Sequence, residues 1–185
     1  MRKLLIAMIL TSFGWLMQAQ VIAVKTNLLY DATTTPNLGV EYAFNRHFSI
    51  EAAGSYNPWK FANNKSLEHW AVQPEARYWL HERFNGHYFG VHGIYMDYKI
   101  KGMHIPSIMS KTNDYNGNAY GGGISYGYQL YLSPRWNLEF TVGGGFLYFE
   151  YDKYAHTPEH EYLGKYNSKY VGLTKAGINL IYIIK

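Results

Sequence analysis

Apolar and polar residues alternate along most of this chain. In the run 37–44, apolar or aromatic side chains occupy every even position: Leu38, Val40, Tyr42 and Phe44. Alternation with period two is typical of β-strands, whereas amphipathic helices repeat every 3.6 residues. Eight runs show it: 21–32, 37–44, 48–58, 70–80, 87–99, 118–132, 136–151 and 169–184. The pattern predicts an all-β protein of eight strands.

The segments between these runs differ in length in a regular order. Short ones with turn residues are 45–47, 81–86 and 133–135. Longer polar ones are 60–69, 100–117 and 152–168, and the brief 33–36 falls on the same side. An up-and-down antiparallel sheet has this order when its longer loops all emerge at one end.

Three features favour a membrane barrel over a soluble sandwich. Several runs reach the roughly ten residues of a tilted membrane-crossing strand. Aromatic residues fall near both strand ends, as in interfacial belts: Phe44, Phe48, Phe84, Phe89 and Trp136 on the short-turn side, and Tyr30, Tyr56, Trp59, Trp70, Tyr95, Tyr120, Tyr148 and Tyr170 on the other. Full charges occupy the polar face in mid-strand: Lys25, Glu41, Glu51, Glu75, Arg77, Glu139 and Lys175. We therefore expect an eight-stranded antiparallel up-and-down transmembrane β-barrel.

The first residues have the order of an export signal. Arg2 and Lys3 precede an apolar stretch over 4–17, and small or polar residues follow at 18–20. This order predicts a signal peptide over 1–19 and one barrel domain over 20–185. An uncleaved anchor is the alternative, although the stretch is shorter than the roughly 20 residues of a spanning helix. The expected location is the cell outer membrane.

Composition excludes several classes of function. Aromatic residues make up 18% and charged residues only 16% of the 185 residues, below the roughly 25% charge of soluble domains. The absence of cysteine excludes a disulfide scaffold and thiol chemistry. Without Arg2 and Lys3, 15 basic groups face 13 acidic ones, so we expect no nucleic-acid partner.

Several strings resemble a known family. They are VKTNLLYDATTTPNLGVEY at 24–42, SYNPW at 55–59, HWAVQPEARYWL at 69–80, ERFNGHYFGVH at 82–92, GGGISYGYQ at 121–129 and RWNLE at 135–139. Together they are similar to the Bacteroidetes family catalogued as domain of unknown function 3575. The resemblance implies an outer-membrane barrel with no assigned activity. It therefore supplies no catalytic residue.

The strand charges are candidates for a lumen network. Glu41 and Glu51 fall opposite each other across the turn at 45–47, where two carboxylates would repel. Arg77 on the next strand can bridge them with its forked guanidinium. Eight strands enclose an interior just wide enough for side chains to fill, so we expect a plug, with an ion-selective lumen as the alternative. His92 is expected on the same inner face as a core histidine.

The longer segments hold the candidates for interaction. Aromatic residues beside lysines favour recognition of a surface protein or a glycan: Tyr115, Tyr154, Tyr162 and Tyr166. His156 and His160 are weak candidates for metal ligands, because Pro158 prevents the helix that would align them. No metal and no cofactor are expected. The glycine triplets 121–123 and 143–145 lie inside strands and should come together, leaving room for aromatic rings such as Tyr126.

Three functional hypotheses remain open. The first is a non-enzymatic, monomeric outer-membrane barrel in contact with lipid, with a structural or surface-interaction role through its longer loops. The second is a membrane-embedded lipid hydrolase or acyltransferase, which needs a hydroxyl beside a histidine; the serines considered are Ser55, Ser107, Ser110 and Ser125. The third is a ligand-binding or transport barrel, of which a soluble carrier is one form.

Overall fold

The computed structural model describes residues 21–61, 65–102, 112–157 and 161–184, so the expected signal peptide lies outside the described residues. Eight antiparallel strands close into a barrel in which each strand pairs with its sequence neighbours. The strands are β1 (Val21–Asn27), β2 (Asn37–Ala43), β3 (Phe48–Phe61), β4 (Lys65–Trp79), β5 (Gly86–Lys101), β6 (Asn113–Tyr131), β7 (Trp136–Ala155) and β8 (Tyr162–Ile184). The predicted all-β, eight-stranded, up-and-down architecture is confirmed.

The register of the barrel follows the predicted turns. Glu41 lies opposite Glu51 across the first hairpin. The barrel closes where β1 pairs with β8, from Ile22 opposite Ile184 to Asn27 opposite Asn179. Because the side chains of a strand alternate between its two faces, this register sends one polar set of residues into the lumen.

The strands differ greatly in length, and they extend into the segments predicted as long polar loops, of which 103–111 and 158–160 lie outside the described residues. β1 and β2 have 7 residues each, whereas β7 has 20 and β8 has 23. β5 continues to Lys101 and β6 begins at Asn113, so most of the described part of 100–117 is strand. The segment 152–168 is likewise mostly strand. Some polar residues that suggested loops, such as Lys165 and Asn167, lie on the outer face of a strand, whereas Asp114 is buried.

The first predicted strand also ends early. Residues 28–32 form a short helix, α1 (Leu28–Ala32), where the alternation predicted strand. Asn27 caps the helix by accepting a hydrogen bond from the Leu29 amide at 3.1 Å, as N-cap asparagines do. The Asp31 carboxylate then accepts from Thr26 and from Asn37, both at 2.8 Å. None of the described helices has the length and apolar character to cross a membrane.

The glycine triplets lie side by side, as predicted, with Gly123 opposite Gly145. The reason for glycine differs from the one expected. A Cβ on Gly123 would lie 2.2 Å from the Gly144 carbonyl oxygen, and one on Gly145 would lie 2.1 Å from that of Gly122. The neighbouring backbone, and not an aromatic ring, fills this space. A ring takes the space of a Cβ at Gly127, against Tyr88.

Two apolar clusters fill the barrel interior at different heights. At the short-turn end the buried residues are Ala23, Ala43, Trp79, Phe84, Tyr88 and Ile181. Towards the opposite end, the upper end of the barrel, they are Tyr98, Ile100, Tyr115, Ala119, Leu147 and Phe149, with Tyr170 packed against them. Phe84 and Tyr170 therefore point inward and do not belong to the outer aromatic belts. The charged residues occupy the level between the clusters.

Candidate functional site

The seven strand charges meet inside the barrel. Each is at most 8% exposed. Arg77 is the centre: its guanidinium lies 2.5 Å from Glu75, 2.8 Å from Glu41 and 2.8 Å from Glu139, and it also contacts Glu51. The same guanidinium lies 4.3 Å from the centre of the Tyr88 ring. One cation thus bridges the Glu41–Glu51 pair that the turn brings face to face.

Two lysines complete the network. Lys25 contacts Glu41 at 2.6 Å, Glu51 at 2.7 Å and Glu139 at 3.3 Å. Lys175 contacts Glu75 at 2.9 Å and Glu51 at 3.5 Å. Three cations therefore face four carboxylates in one connected cluster. Since burial of an unpaired charge is costly, every member is held by at least two partners.

Neutral side chains satisfy the remaining carboxylate oxygens. Ser49 donates to Glu41 at 2.5 Å, Asn179 donates to Glu139 at 2.7 Å, and Ser125 donates to Glu75. The Trp79 indole in turn donates to the Ser49 hydroxyl at 2.8 Å. Ser49 and Asn179 were not predicted as members of the network. They have the same parity as the charges on their strands, which is the signal that could have found them.

A β-bulge aims one further hydroxyl inward. Gly143 lies opposite Lys175 and Gly144 opposite Leu173, so Thr174 is the extra residue. Its hydroxyl lies 2.9 Å from His92 Nε2, and its carbonyl accepts from Gln73 at 3.3 Å. His92 is thus a buried core histidine whose hydrogen-bond partner is the Thr174 hydroxyl. Parity could not predict Thr174, because a bulge turns two successive side chains to one face.

The space left in the lumen is small. A polar cavity of about 50 Å³ lies beside Glu51 and Lys175, lined also by Thr141 and Asn179. A water needs roughly 10–15 Å³ of such space, so the cavity is large enough for a few waters and too small for a sugar ring or an acyl chain. The side chains that line this cavity are therefore suited to hold the wall together.

The outer face of the barrel changes polarity along each long strand. On β5 the outward residues are apolar up to Tyr95, and Val91 is 65% exposed; beyond Tyr95 they are Asp97, Lys99 and Lys101. The inward residues change in the opposite sense, from buried His92 to buried Tyr98 and Ile100. The strand therefore has an apolar exterior over one stretch and an apolar interior over the next.

β7 repeats the reversal at the same level. Its outward side chains are Phe140, Val142 and Phe146 and then, beyond Tyr148, Glu150 and Asp152. Its inward side chains change from Glu139 and Thr141 to Leu147 and Phe149, all buried. On the outer face of β8, exposed Val171 is followed by Lys169, Asn167 and Lys165 towards the start of the strand. One boundary thus runs across neighbouring strands.

Rows of aromatic residues border the apolar exterior. Tyr56 pairs with Trp70, whose ring lies 5.5 Å from Tyr95; Tyr120 follows opposite Tyr95, and Tyr148 follows opposite Tyr120. A second row nearer the short turns is Phe48, Tyr78, Phe89 and Tyr126, each opposite the next. Phe48 and Tyr56 are eight residues apart on β3, about 20 Å along the axis of a barrel with strands tilted by about 40°.

The four interaction tyrosines do not lie on loops. Tyr115 is 5% exposed within the upper apolar cluster, so its assignment to an exposed interaction site is wrong. Tyr154 lies on β7, and Tyr162 and Tyr166 lie on β8. Tyr162 donates to Asp152 at 3.1 Å, while Lys153 lies 5.6 Å from the centre of the Tyr166 ring. Tyr162 and Tyr166 remain exposed.

The histidine candidates do not form a metal site in the described residues. His156 Nδ1 lies 2.6 Å from Asp114 Oδ1. His160 lies outside the described residues, and within them no group of three or more metal-ligating side chains converges. Ser107 and Ser110 also lie outside them, Ser125 is buried against Glu75, and Ser55 pairs with Asn37 and Ala71 in the ladder.

Comparison with known proteins identifies a family only. The model of the family described as "Protein of unknown function (DUF3575)" matches residues 4–184, which confirms the resemblance. No curated protein and no solved structure matches the chain.

Proposed function

We propose that this chain, which belongs to the family of protein of unknown function DUF3575, is a non-enzymatic outer-membrane β-barrel. Its closed wall crosses the membrane, a packed lumen keeps that wall shut, and the strand ends beyond the membrane contact surface partners. The role is structural or interactive, and the protein acts as a monomer within lipid.

The reversal of polarity at one level of the barrel carries this proposal. Between the two aromatic rows the exterior is apolar and the interior charged, which is the arrangement that lipid requires. Beyond the Tyr56–Tyr148 row, β5 and β7 have a charged exterior and an apolar interior, which is the arrangement that suits water. Aromatic rings at both borders are typical of membrane–water interfaces.

The length of the strands supports the surface role. From Tyr95 to Lys101, β5 continues beyond the upper row of aromatic residues, and the partner strands β6, β7 and β8 continue with it. Their apolar inner cluster around Tyr98 and Phe149 keeps this extension rigid. A rigid, charged rim is suited to recognition of proteins or glycans.

Fractionation of cells tests the location. We expect the protein in the detergent-extracted outer-membrane fraction, migrating at two apparent sizes on gels before and after heating, because the closed hydrogen-bonded sheet resists detergent until it is hot. A soluble periplasmic protein from the same cells serves as the fractionation control.

Recovery of the folded protein in the soluble periplasmic fraction would contradict the proposal and favour a soluble carrier. Unchanged migration after heating would contradict the closed membrane wall. A change in membrane lipid composition on deletion of the gene, restored by the intact protein, would favour the lipid-modifying enzyme instead.

A further inference from the structure

Over more than half its length, β8 pairs with another described strand on one side only, while the short helix α1 contacts part of it. β1 pairs with Asn179–Ile184 and then ends at Asn27, whereas β7 accompanies β8 as far as Tyr162. Among the described strands, none pairs with the other edge of β8 from Tyr162 to Ile178. An edge of this kind presents unpaired backbone donors and acceptors at every second residue.

Side chains cap the lower part of this edge and leave the upper part open. Asn27 donates to the Ala176 carbonyl at 3.1 Å, and Gln73 donates to the Thr174 carbonyl. Over 165–173 the described hydrogen bonds of the backbone run to β7 alone. Along the same stretch Tyr166, Val171 and Leu173 are exposed.

Charge on the outer face indicates which strand would fit. Glu150 and Asp152 of β7 lie opposite Asn167 and Lys165 of β8, so an acidic strand is followed by a basic one. Lys165 and Lys169 share the outer face, four residues and about 13 Å apart. Opposite charges on neighbouring strands stabilise a sheet and like charges destabilise it. The next strand of the series should carry carboxylates.

The same charges argue against a second copy of this chain. A twofold axis at Asn167 would pair the β8 edges of two copies in antiparallel register. Lys165 of each copy would then lie against Lys169 of the other, which is the unfavourable pairing of like charges.

We propose that the open edge of β8 over 165–173 receives an extended acidic segment of another polypeptide as an added antiparallel strand. Carboxylates four residues apart on that segment face Lys165 and Lys169. Its other face packs against Tyr166. The inference rests on the surface role proposed above and names the chemistry of the partner.

The test uses the full-length barrel purified in detergent and three synthetic nine-residue peptides. The acidic peptide is a chain of alternating threonine and valine that carries two glutamates four residues apart. The basic peptide has lysines in place of the glutamates. The N-methylated peptide is the acidic peptide with methyl groups on its backbone nitrogens. Hydrogen exchange measured by mass spectrometry reports protection of 165–173. When about nine-tenths of the barrels carry the acidic peptide, exchange there should slow about tenfold, because only free barrels exchange.

We expect the acidic peptide to bind about fivefold more tightly than the basic one, from two exposed cross-strand charge pairs. The double variant Lys165→Glu with Lys169→Glu should reverse this preference. The matched control Lys60→Glu with Lys99→Glu changes the same charge away from β8 and should preserve it. The N-methylated peptide lacks the backbone donors and should give no protection.

Absence of protection by the acidic peptide, or equal protection by the N-methylated one, would overturn the inference. Protection of 165–173 that rises with protein concentration without peptide would assign the edge to a second copy and overturn it too. None of these three results affects the outer-membrane proposal, since fractionation tests that proposal separately.

Discussion

At the scale of single residues, Arg77 is the side chain that contributes most ion pairs to the charge network in the lumen. It contacts all four carboxylates of the network, and no other cation of the network does so. Without it two lysines would face four carboxylates in a space that water barely enters. Removal of one partner from a buried ionic cluster costs much more than removal of an exposed charge, because the remaining charges stay buried and uncompensated.

Replacement Arg77→Met should therefore lower the free energy of unfolding by about 3–5 kcal/mol. The matched control is Arg46→Met, the same exchange at an exposed turn residue, which should cost no more than about 1 kcal/mol. Urea unfolding of both variants in detergent, followed by the heat-dependent shift on gels, measures the difference. Equal unfolding midpoints would show that the network contributes little to stability.

At the scale of strands, the glycine triplets of β6 and β7 allow the backbones to approach. Alanine at Gly145 would place its Cβ 2.1 Å from a backbone carbonyl, whereas alanine at Gly144 would meet nothing closer than 3.5 Å. The two positions are adjacent, so they form a matched pair. We expect Gly145→Ala to destabilise the barrel by about 1–3 kcal/mol through backbone displacement, and Gly144→Ala to be tolerated. Comparison of the two unfolding midpoints tests this, and equal tolerance would contradict the close approach.

Strand periodicity predicted the number, order and pairing of the strands, because period two persists wherever one face is buried and the other is not. It also placed Glu41 opposite Glu51 and Arg77 beside them. It did not predict the start of β6, the end of β7 or the start of β8. There the outer face becomes charged, and a polar residue such as Asp152 or Lys165 has the same appearance in a loop and on a wet strand face.

Two local features also escaped the sequence argument. The bulge at Thr174 depends on hydrogen bonding between β7 and β8, which no single strand encodes. The helix α1 depends on the capping of the Leu29 amide by Asn27 and on the Asp31–Asn37 contact. The alternation of its residues predicted a strand instead. Both depend on partners distant in the chain or on a cap that competes with the sheet.

At the scale of the whole molecule, buried side chains occupy the lumen at three successive levels. Trp79, Phe84 and Tyr88 pack together at the short-turn end, the seven charges fill the middle, and the cluster around Tyr98 and Phe149 fills the upper part. The apolar levels are unfavourable for hydrated ions, and in the charged level the two lysines lie within 2.6–3.5 Å of carboxylates. A mobile ion would have to displace a lysine or Arg77 from several partners at once.

We therefore expect planar lipid bilayers that contain the protein to show no stable conductance steps. The double variant Trp79→Ala with Tyr88→Ala should remain closed as well, because it removes two rings that touch the charged level but none of the ion pairs, and the cluster around Tyr98 and Phe149 stays intact. A wide-pore porin inserted under the same conditions confirms that channels are detected, and the heat-dependent gel shift confirms that the barrel is folded. Stable conductance steps in the wild-type protein would show that the packed side chains move apart and open the lumen. That result would favour a transport function over a structural or interaction role.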